Sequence, residues 1–439
     1  MNEEYLYKAF EDWFKNVSHL KDFVVWDPRE KHWFNYEHDL GFWSPWAEEH
    51  ITSLISQFAD QYKSDIPLSV GQYQLIIKRL KGEQLFEGEW NDTQNENLIN
   101  GVYCFYTQQL HEKQAAFMFR YQIPRNYHHQ DPDRYTRALF QSVCSVTDQP
   151  RWFIQFLIAM VHKNFSNEMF LIAFGPKGSG KSTLLGIPRA IFGPKLTSAT
   201  TLYKLGQRFG LTQCYDKRVN INPDLPIKEL YPDAVANLKM LTGGQDGSDG
   251  NIEIELKGIS SFAVKLQCFF LFGCNQLPKF SADSLSECES IGRRTLLLEC
   301  KNPQIRCPQM KELVEDPDFL DLIYSWLLRQ PDKPIIQGDL QDWIDEVLER
   351  WFTNCDPLLQ IIKELYRHTD TDSRVPQKEV FEHVTEAMNE ENLPVPRNLA
   401  AQITQAMATI RIRKDTNHRN YHYMNIKRLY ETEEEPFLK

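Results

Sequence analysis

The sequence predicts an α/β core built on a parallel sheet. An α+β and helical region precedes it, and a helical domain ending in a basic hairpin comes after it. Three observations carry this. Residues 169–335 alternate short apolar runs with helix-period patterns, as strands joined by helical crossovers do. One of those runs, Phe170–Phe174, leads straight into GPKGSGKST (175–183), after which Leu184 and Leu185 begin a helix. From about residue 340 the pattern changes to successive helices and then two strand-like halves around a polar turn.

The bulk composition sets the bounds. A length of 439 residues suggests about two to four domains, and 42% hydrophobic with 13% aromatic residues supplies real cores rather than a disordered chain. The net charge of -11 does not suggest a nucleic-acid binder, although a basic face can sit on an acidic protein, so local patches decide. Nine cysteines, an odd number with no CxxC pair, read as reduced, mostly buried thiols of an intracellular, cytoplasmic protein. Cys268, Cys274, Cys300 and Cys307 show no zinc-ligand spacing. MNEEYLYKAFEDWF is charged and amphipathic, not a signal peptide, and no apolar run reaches the length of a membrane span.

Along the chain, residues 1–97 form an aromatic-rich N-terminal domain. Trp26, Trp33, Trp43 and Trp46 lie among short alternating segments and read as core. Glu48–Tyr62 is an amphipathic helix with Ile51, Leu54, Ile55 and Phe58 on one face. Residues 98–168 form a strand pair and helical collar. The first strand is broken at Asn100-Gly101, a second strand pattern ends at Pro124, and Asp131-Pro132-Asp133 starts a helical stretch through Trp152 to Val161. Residues 169–335 are the α/β domain. Residues 340–430 hold helices over Trp343–Phe352, Pro357–Tyr366, Gln377–Met388 and Asn398–Met407 and then the hairpin, a winged-helix pattern. Residues 431–439 are an acidic tail.

The 175–183 segment is a P-loop: GxxxxGK[ST] between a strand and a helix. Gly175, Gly178 and Gly180 let backbone N–H groups approach phosphate oxygens, Pro176, Lys177 and Ser179 complete the nucleotide loop, and the helix N-terminus adds partial positive charge. Lys181 would reach the β- and γ-phosphates of ATP. Ser182 would ligate Mg²⁺, with Thr183 beside it. Pro188 implies a local kink or a late helix start. Lys217–Asn222 is a short strand ending at Pro223-Asp224. A carboxylate at the tip of a neighbouring core strand is where Mg²⁺ and its water need one, so Asp224 is the candidate, with Glu229 and Asp233 as weaker options. Gln267–Cys274 is another buried strand, and Asn275 at its tip could orient an attacking water. Arg293 and Arg294 precede the strand Thr295–Leu298 and could reach a neighbouring subunit's γ-phosphate.

The order GPKGSGKST, NINPDLP, LKMLTGGQD, FFLFGCNQLP, GRR resembles superfamily 3 helicases, in the branch of pox-virus-type and phage/plasmid-type primase-helicases. The resemblance covers about residues 98–430 and only the helicase part. It implies an AAA+-like P-loop ATPase domain and assigns Lys181, Ser182 and Thr183 to the nucleotide loop. It gives Asp224 the magnesium side, Asn275 the water-sensing position, and Arg293 or Arg294 the arginine finger acting in trans. It also implies a hairpin over Gln245–Val264 that grips single-stranded DNA, with Lys257 at its lysine. The chain departs from the family in having one carboxylate, Asp224, where many relatives have two, and in carrying Glu253 and Glu255 on the hairpin.

The C-terminal hairpin holds Arg411, Arg413, Lys414, Arg419, Lys427 and Arg428 against Asp415 alone, a phosphate-contacting pattern in which Arg411 and Arg413 share a face. The resemblance and the basic hairpin together imply a 3′–5′ ATP-dependent DNA helicase of a virus, phage, plasmid or other mobile element. It would be a homo-oligomeric, hexameric ring on single-stranded or forked DNA, with a primase or other replication protein as a partner of the N-terminal region. The alternative is a nucleotide-gated DNA-binding initiator or assembly protein without efficient unwinding. A small-molecule kinase would need neither the LTGG segment nor the arginine pair.

Overall fold

The computed structural model of the protein describes residues 3–62, 68–165, 169–207, 209–225, 229–230, 232–242, 251–255, 261–280, 291–292, 294–301, 309–332, 351, 357–369, 373–390, 395–409, 412, 414–415 and 422–429. The chain forms two compact units. The first spans residues 1–227, 231–276 and 293–336, and the second spans 228–230, 277–292 and 337–439.

The first unit opens with helix α1 (Glu3–Asn16), whose apolar residues Leu6, Phe10, Trp13 and Phe14 recur at helical spacing and are buried. An antiparallel meander comes next: β1 (Val24–Asp27), β2 (His32–Glu37) and β3 (Phe42–Trp46). Successive side chains of a strand point to opposite faces. In β2, Trp33 therefore joins α1, α2 (Glu48–Gln61) and α3 (Val70–Glu83) in one core, while Phe34 and Tyr36 join Trp43 and Trp90 in another. Trp33 and Trp43 are fully buried and Trp26 and Trp46 partly so, which makes the tryptophans core residues as expected. Helix α3 starts at a capping box between Ser69 and Gln72.

Strands β4 (Asn95–Leu98), β5 (Gly101–Cys104) and β6 (Gln109–His111) form a second meander, turning at Asn100-Gly101. The expected strand up to Pro124 stops at His111. Beyond it the chain is pinned by single bonds instead, such as Ile123 N–H to the Asn97 carbonyl, with Phe119 and Ile123 buried. Helix α4 (Asp133–Cys144) begins at the expected Asp133, and a turn separates it from α5 (Pro150–Val161), which has proline at its first position.

The α/β core begins with β7 (Phe170–Phe174), α6 (Lys181–Phe192), β8 (Thr197–Ser198) and β9 (Val219–Asn222). After β10 (Glu229–Leu230), which belongs to the second unit, come α7 (Pro232–Thr242) and the hairpin β11 (Asn251–Ile254) with β12 (Phe262–Lys265). Then come β13 (Phe269–Cys274), β14 (Lys279–Phe280, second unit) and β15 (Thr295–Glu299). Five strands make one all-parallel sheet in the order β15-β7-β13-β9-β8. Its central strands are buried on both faces, as continuous apolar runs require. From β7 the chain leaves to the far edge at β8, returns through β9 and β13, and then crosses to β15 on the other side of β7. The carboxyl end of β7 is therefore the topological switch point, where such sheets bind ligands. Two helices, α8 (Gln309–Leu313) and α9 (Pro317–Arg329), complete the unit, and Tyr324 of α9 meets Phe192 of α6 edge to face.

In the second unit β10 pairs in parallel with β14, and Trp351 is buried with its indole N–H donating to the Pro278 carbonyl. The chain continues through helix α10 (Pro357–Leu365), β16 (Tyr366–His368), β17 (Arg374–Pro376), α11 (Gln377–Glu390) and α12 (Leu399–Thr409). Strands β18 (Lys414–Asp415), β19 (His422–Met424) and β20 (Ile426–Arg428) come last. Strand β19 lies between β17 and β18, and β16 pairs with β20, around a core that includes Ile362, Val380, Met407 and Tyr423. The expected helix Trp343–Phe352, apart from Trp351, and the tail 431–439 lie outside the described residues.

Candidate nucleotide site

The loop after β7 is shaped by its neighbours. Cys300 N–H donates to the Phe174 carbonyl (2.7 Å) and Gly175 N–H to the Cys274 carbonyl (3.2 Å), so both flanking strands continue past the end of β7. A Cβ on Gly175 would lie 2.0 Å from the Cys300 carbonyl oxygen, which only glycine avoids. Gly178 and Gly180 take left-handed φ of +85° and +88°, turning the backbone into the start of α6 at Lys181. A Cβ on Gly178 would meet nothing within 4 Å, so the crest of the loop is open. Helix α6 starts at once, at Lys181, and contains Pro188, so of the two expected effects of that proline, a kink or a late start, the late start does not occur.

Lys181 is buried, and its ammonium donates to the Gly175 carbonyl (2.7 Å), the Pro176 carbonyl (2.8 Å) and Ser179 Oγ (3.3 Å). Ser179 is buried, Pro176, Lys177 and Ser182 are exposed, and Thr183 is half-buried. The first N–H groups of a helix have no partner within it. Together with an open glycine crest and a lysine cation at the loop's base, they fit an anionic polyphosphate. Two thiols stand beside the loop. Burial pushes Cys274 and Cys300 up to about 12, against the pull of the Lys181 ammonium, and so favours the neutral thiol in both.

Register places the other candidates. Cys274 pairs with Phe174, so Asn275 lies level with Gly175. Asn222 pairs with Phe272 at the end of β9, and Asp224 follows two residues on, in the turn beyond it. A Cβ on Gly273 would sit 2.4 Å from the Pro223 carbonyl oxygen, and Leu225 N–H donates to the Gly273 carbonyl (2.7 Å). The Pro223–Leu225 turn is thereby pressed onto the tip of β13. Asp224 and Asn275 are both exposed. The P-loop, Asn275 and Asp224 thus occupy adjacent strand tips at one edge of the sheet. Behind them, the buried Asn220 amide fixes β8 to β9, accepting from Ser198 Oγ and Thr200 N–H and donating to the Thr200 carbonyl.

Arg294 is elsewhere. Its carbonyl accepts from Phe170 N–H (2.9 Å), at the amino end of β7. The length of β15 separates it from its own P-loop, about 15 Å at the usual strand rise. Glu229 is paired into the second unit, and Asp233 is exposed on the first turn of α7. The hairpin β11–β12 is present, with Glu253 exposed and its carboxylate bonded to Ser261 Oγ. Lys414 is half-buried on β18, Asp415 pairs with Arg374 (3.6 Å), and Arg428 donates to His383 Nε2 (2.8 Å). Lys427 is exposed. Arg293, Lys257, Arg411, Arg413 and Arg419 lie outside the described residues.

Sequence reasoning missed two buried ionic groups behind the site. Arg218, at the foot of β9, donates to both oxygens of Glu96 (3.0 and 3.3 Å), to the Met160 carbonyl (3.2 Å) and to the Tyr121 hydroxyl. Lys163 stands 3.8 Å from Glu96 and donates to the Asp92 and Asn95 carbonyls. Burial lowers the Lys163 ammonium to about 7, with Glu96 opposing the shift. Arg120 joins Glu30 and Asp216 in a second group.

A family of unknown function (DUF5906) matches residues 173–294, from within β7 to Arg294. No curated protein matches the chain. Among solved structures, the A form apo structure of the NrS-1 C terminal region is similar at a TM-score of 0.53 and 13% identity, covering 94% of this chain and 98% of that one. A second apo structure of that region gives a TM-score of 0.52 at 12% identity, covering 94% of this chain and 99% of that one. At such identities the likeness is one of fold. A JCV helicase with a small molecule bound gives a TM-score of 0.30 at 14% identity over 54% of this chain and 65% of that one, too loose a superposition to bear on the argument.

Proposed function

We propose that the chain is an ATP-dependent motor on DNA, a 3′–5′ helicase acting in replication of a mobile element as a ring of identical subunits. The observation that carries the reading is the alignment of the P-loop, Asn275 and Asp224 on three adjacent strand tips at the switch point. In this reading residues 175–183 hold the triphosphate, Lys181 leaves the loop carbonyls for phosphate oxygens, and Ser182 and Asp224 hold magnesium. Magnesium, when bound, neutralises charge on the β- and γ-phosphates. Asn275 orients the attacking water. Arg293 or Arg294 serves a neighbour's site, since Arg294 stands at the far end of the sheet from its own loop. The hairpin, with Lys257, and the basic C-terminal strands, with Arg411, Arg413, Lys414 and Arg419, contact DNA. The order α10-β17-α11-α12-β18-β19 in the second unit supports a winged helix there.

Steady-state ATP hydrolysis with and without single-stranded DNA tests the proposal, beside Lys181→Ala and Arg293→Ala/Arg294→Ala. DNA stimulation that both variants abolish is the expected result. An arginine finger is worth about 10³- to 10⁵-fold in turnover. A second reading, a nucleotide-gated assembly protein, draws on the single carboxylate at Asp224 and the exposed Glu253 on the hairpin. Nucleotide binding with slow hydrolysis that ignores DNA selects it and rejects the motor.

A further inference from the structure

Residues 212–218 connect three parts of the first unit. At one end, Thr212 Oγ1 donates to the Glu255 carbonyl (2.8 Å) beside β11, and the Tyr215 ring meets Phe262 of β12 edge to face, with centroids 5.8 Å apart. At the other end, Val219 begins β9, whose tip carries Asp224. Between these ends the segment is bolted to the N-terminal region. The Tyr215 hydroxyl donates to the Glu30 carboxylate and accepts from Arg120 (3.0 Å). Arg120 also holds Asp216 (2.7 Å) and both oxygens of Glu30, with its guanidinium 4.6 Å above the Phe34 ring. Arg218 adds its bidentate grip on Glu96. Asp216 sits at φ +56°, a left-handed conformation that is uncommon outside glycine and that this grip sustains.

Phe262, Ala263 and Val264 line a cavity of about 790 Å³ together with Arg29, Trp90 and Tyr215. The Tyr215 hydroxyl is bonded to Glu30 and Arg120 of the N-terminal region, and its ring packs on Phe262 of the hairpin. We infer that Tyr215 is a positioning residue that holds the β11–β12 hairpin in register with the strand carrying Asp224, using the Glu30–Arg120 pair as its anchor. The inference rests on the reading of the hairpin as the DNA-contacting element of a nucleotide-driven motor.

Tyr215→Phe removes only the hydroxyl and keeps the ring against Phe262. In this variant the unstimulated kcat and the KM for ATP should stay within about twofold of wild type, while stimulation by single-stranded DNA falls roughly fivefold or more. Hydrogen exchange gives a readout that needs no DNA response. Amides of residues 251–255 and 261–265 should exchange faster in Tyr215→Phe, while those of β9 keep their protection. Wild-type exchange in the hairpin of Tyr215→Phe overturns the inference whatever the DNA response. So does a parallel fall of stimulated rate, unstimulated rate and Tm, which marks a merely structural tyrosine. A wild-type protein that ignores DNA, with the exchange effect present, rejects the motor and leaves the linkage standing.

Discussion

Gly175 and Gly178 lie three residues apart in one loop and answer to different constraints. At Gly175 the space for a side chain is filled by the Cys300 carbonyl, 2.0 Å from where a Cβ would be. Backbone on both sides is locked into the sheet, so nothing can yield. Gly175→Ala should therefore fail to fold its core or lose most of its thermal stability. Gly178 needs only its left-handed φ, and a Cβ there points into open space. Gly178→Ala should fold with a loss of about 1–2 kcal/mol, the left-handed penalty alone, and thermal melts of the two variants check the contrast. The spacing of the glycines was legible in the sequence because a strand, a glycine turn and a helix that are contiguous in the chain form a local device. Asn275 and Asp224 were legible for a related reason: Asn275 directly follows an apolar run, and Asp224 follows a short alternating strand and a proline, so the place of each at a strand tip needs no knowledge of the partner strand. Arg218 and Glu96 were not. They stand 122 positions apart, and only the tertiary fold, which brings Glu96 of β4 to the residue before β9, makes them a pair.

Strand β9 shows how an element joins such residues into a mechanism. Asp224 lies just beyond one end and Arg218 just before the other, so what fixes Arg218 also fixes where Asp224 emerges. Burial alone would weaken the Arg218 cation, but Glu96 and the Tyr121 hydroxyl more than offset it, and the guanidinium stays charged. Removing one partner of such a pair leaves a buried charge uncompensated. Arg218→Met should cost about 3–5 kcal/mol in urea unfolding. Replacing Arg218, Glu96 and Lys163 together with apolar residues of similar volume should recover much of that loss. Lys163 adds a pH dependence of defined sign. Its folded value is lowered to about 7 from the usual 10.5, so between these the unfolded chain binds the proton that the folded chain has released. Its burial penalty is complete below pH 7 and shrinks as pH rises. Wild-type stability should climb from pH 7 to 9 relative to Lys163→Met, by at most about 1.4 kcal/mol per pH unit. A difference between the two that stays flat over this range would show that Lys163 keeps its proton.

For the whole molecule, the question is where the last catalytic group comes from. The tips of β7, β9 and β13 place a glycine loop, a carboxylate and an amide side by side. Arg294 leaves the sheet at the amino end of β15, a full strand away from its own loop. If it acts, it acts on another copy. A surface that presents the arginine on one side and the nucleotide on the other meets itself head to tail, and a head-to-tail contact that closes is a ring. Activity would then be a property of the interface, which subunit mixing can read. Lys181→Ala has no working loop but an intact arginine, and Arg293→Ala/Arg294→Ala has the reverse. Each should be inactive alone. In an equimolar mixture about a quarter of interfaces should combine an intact loop with an intact arginine, and hydrolysis should reappear at a matching fraction of wild type. An arginine acting within its own chain predicts no recovery at any mixing ratio, because no subunit then holds both groups. Recovery that also vanishes on dilution would tie the activity to assembly and so to the ring.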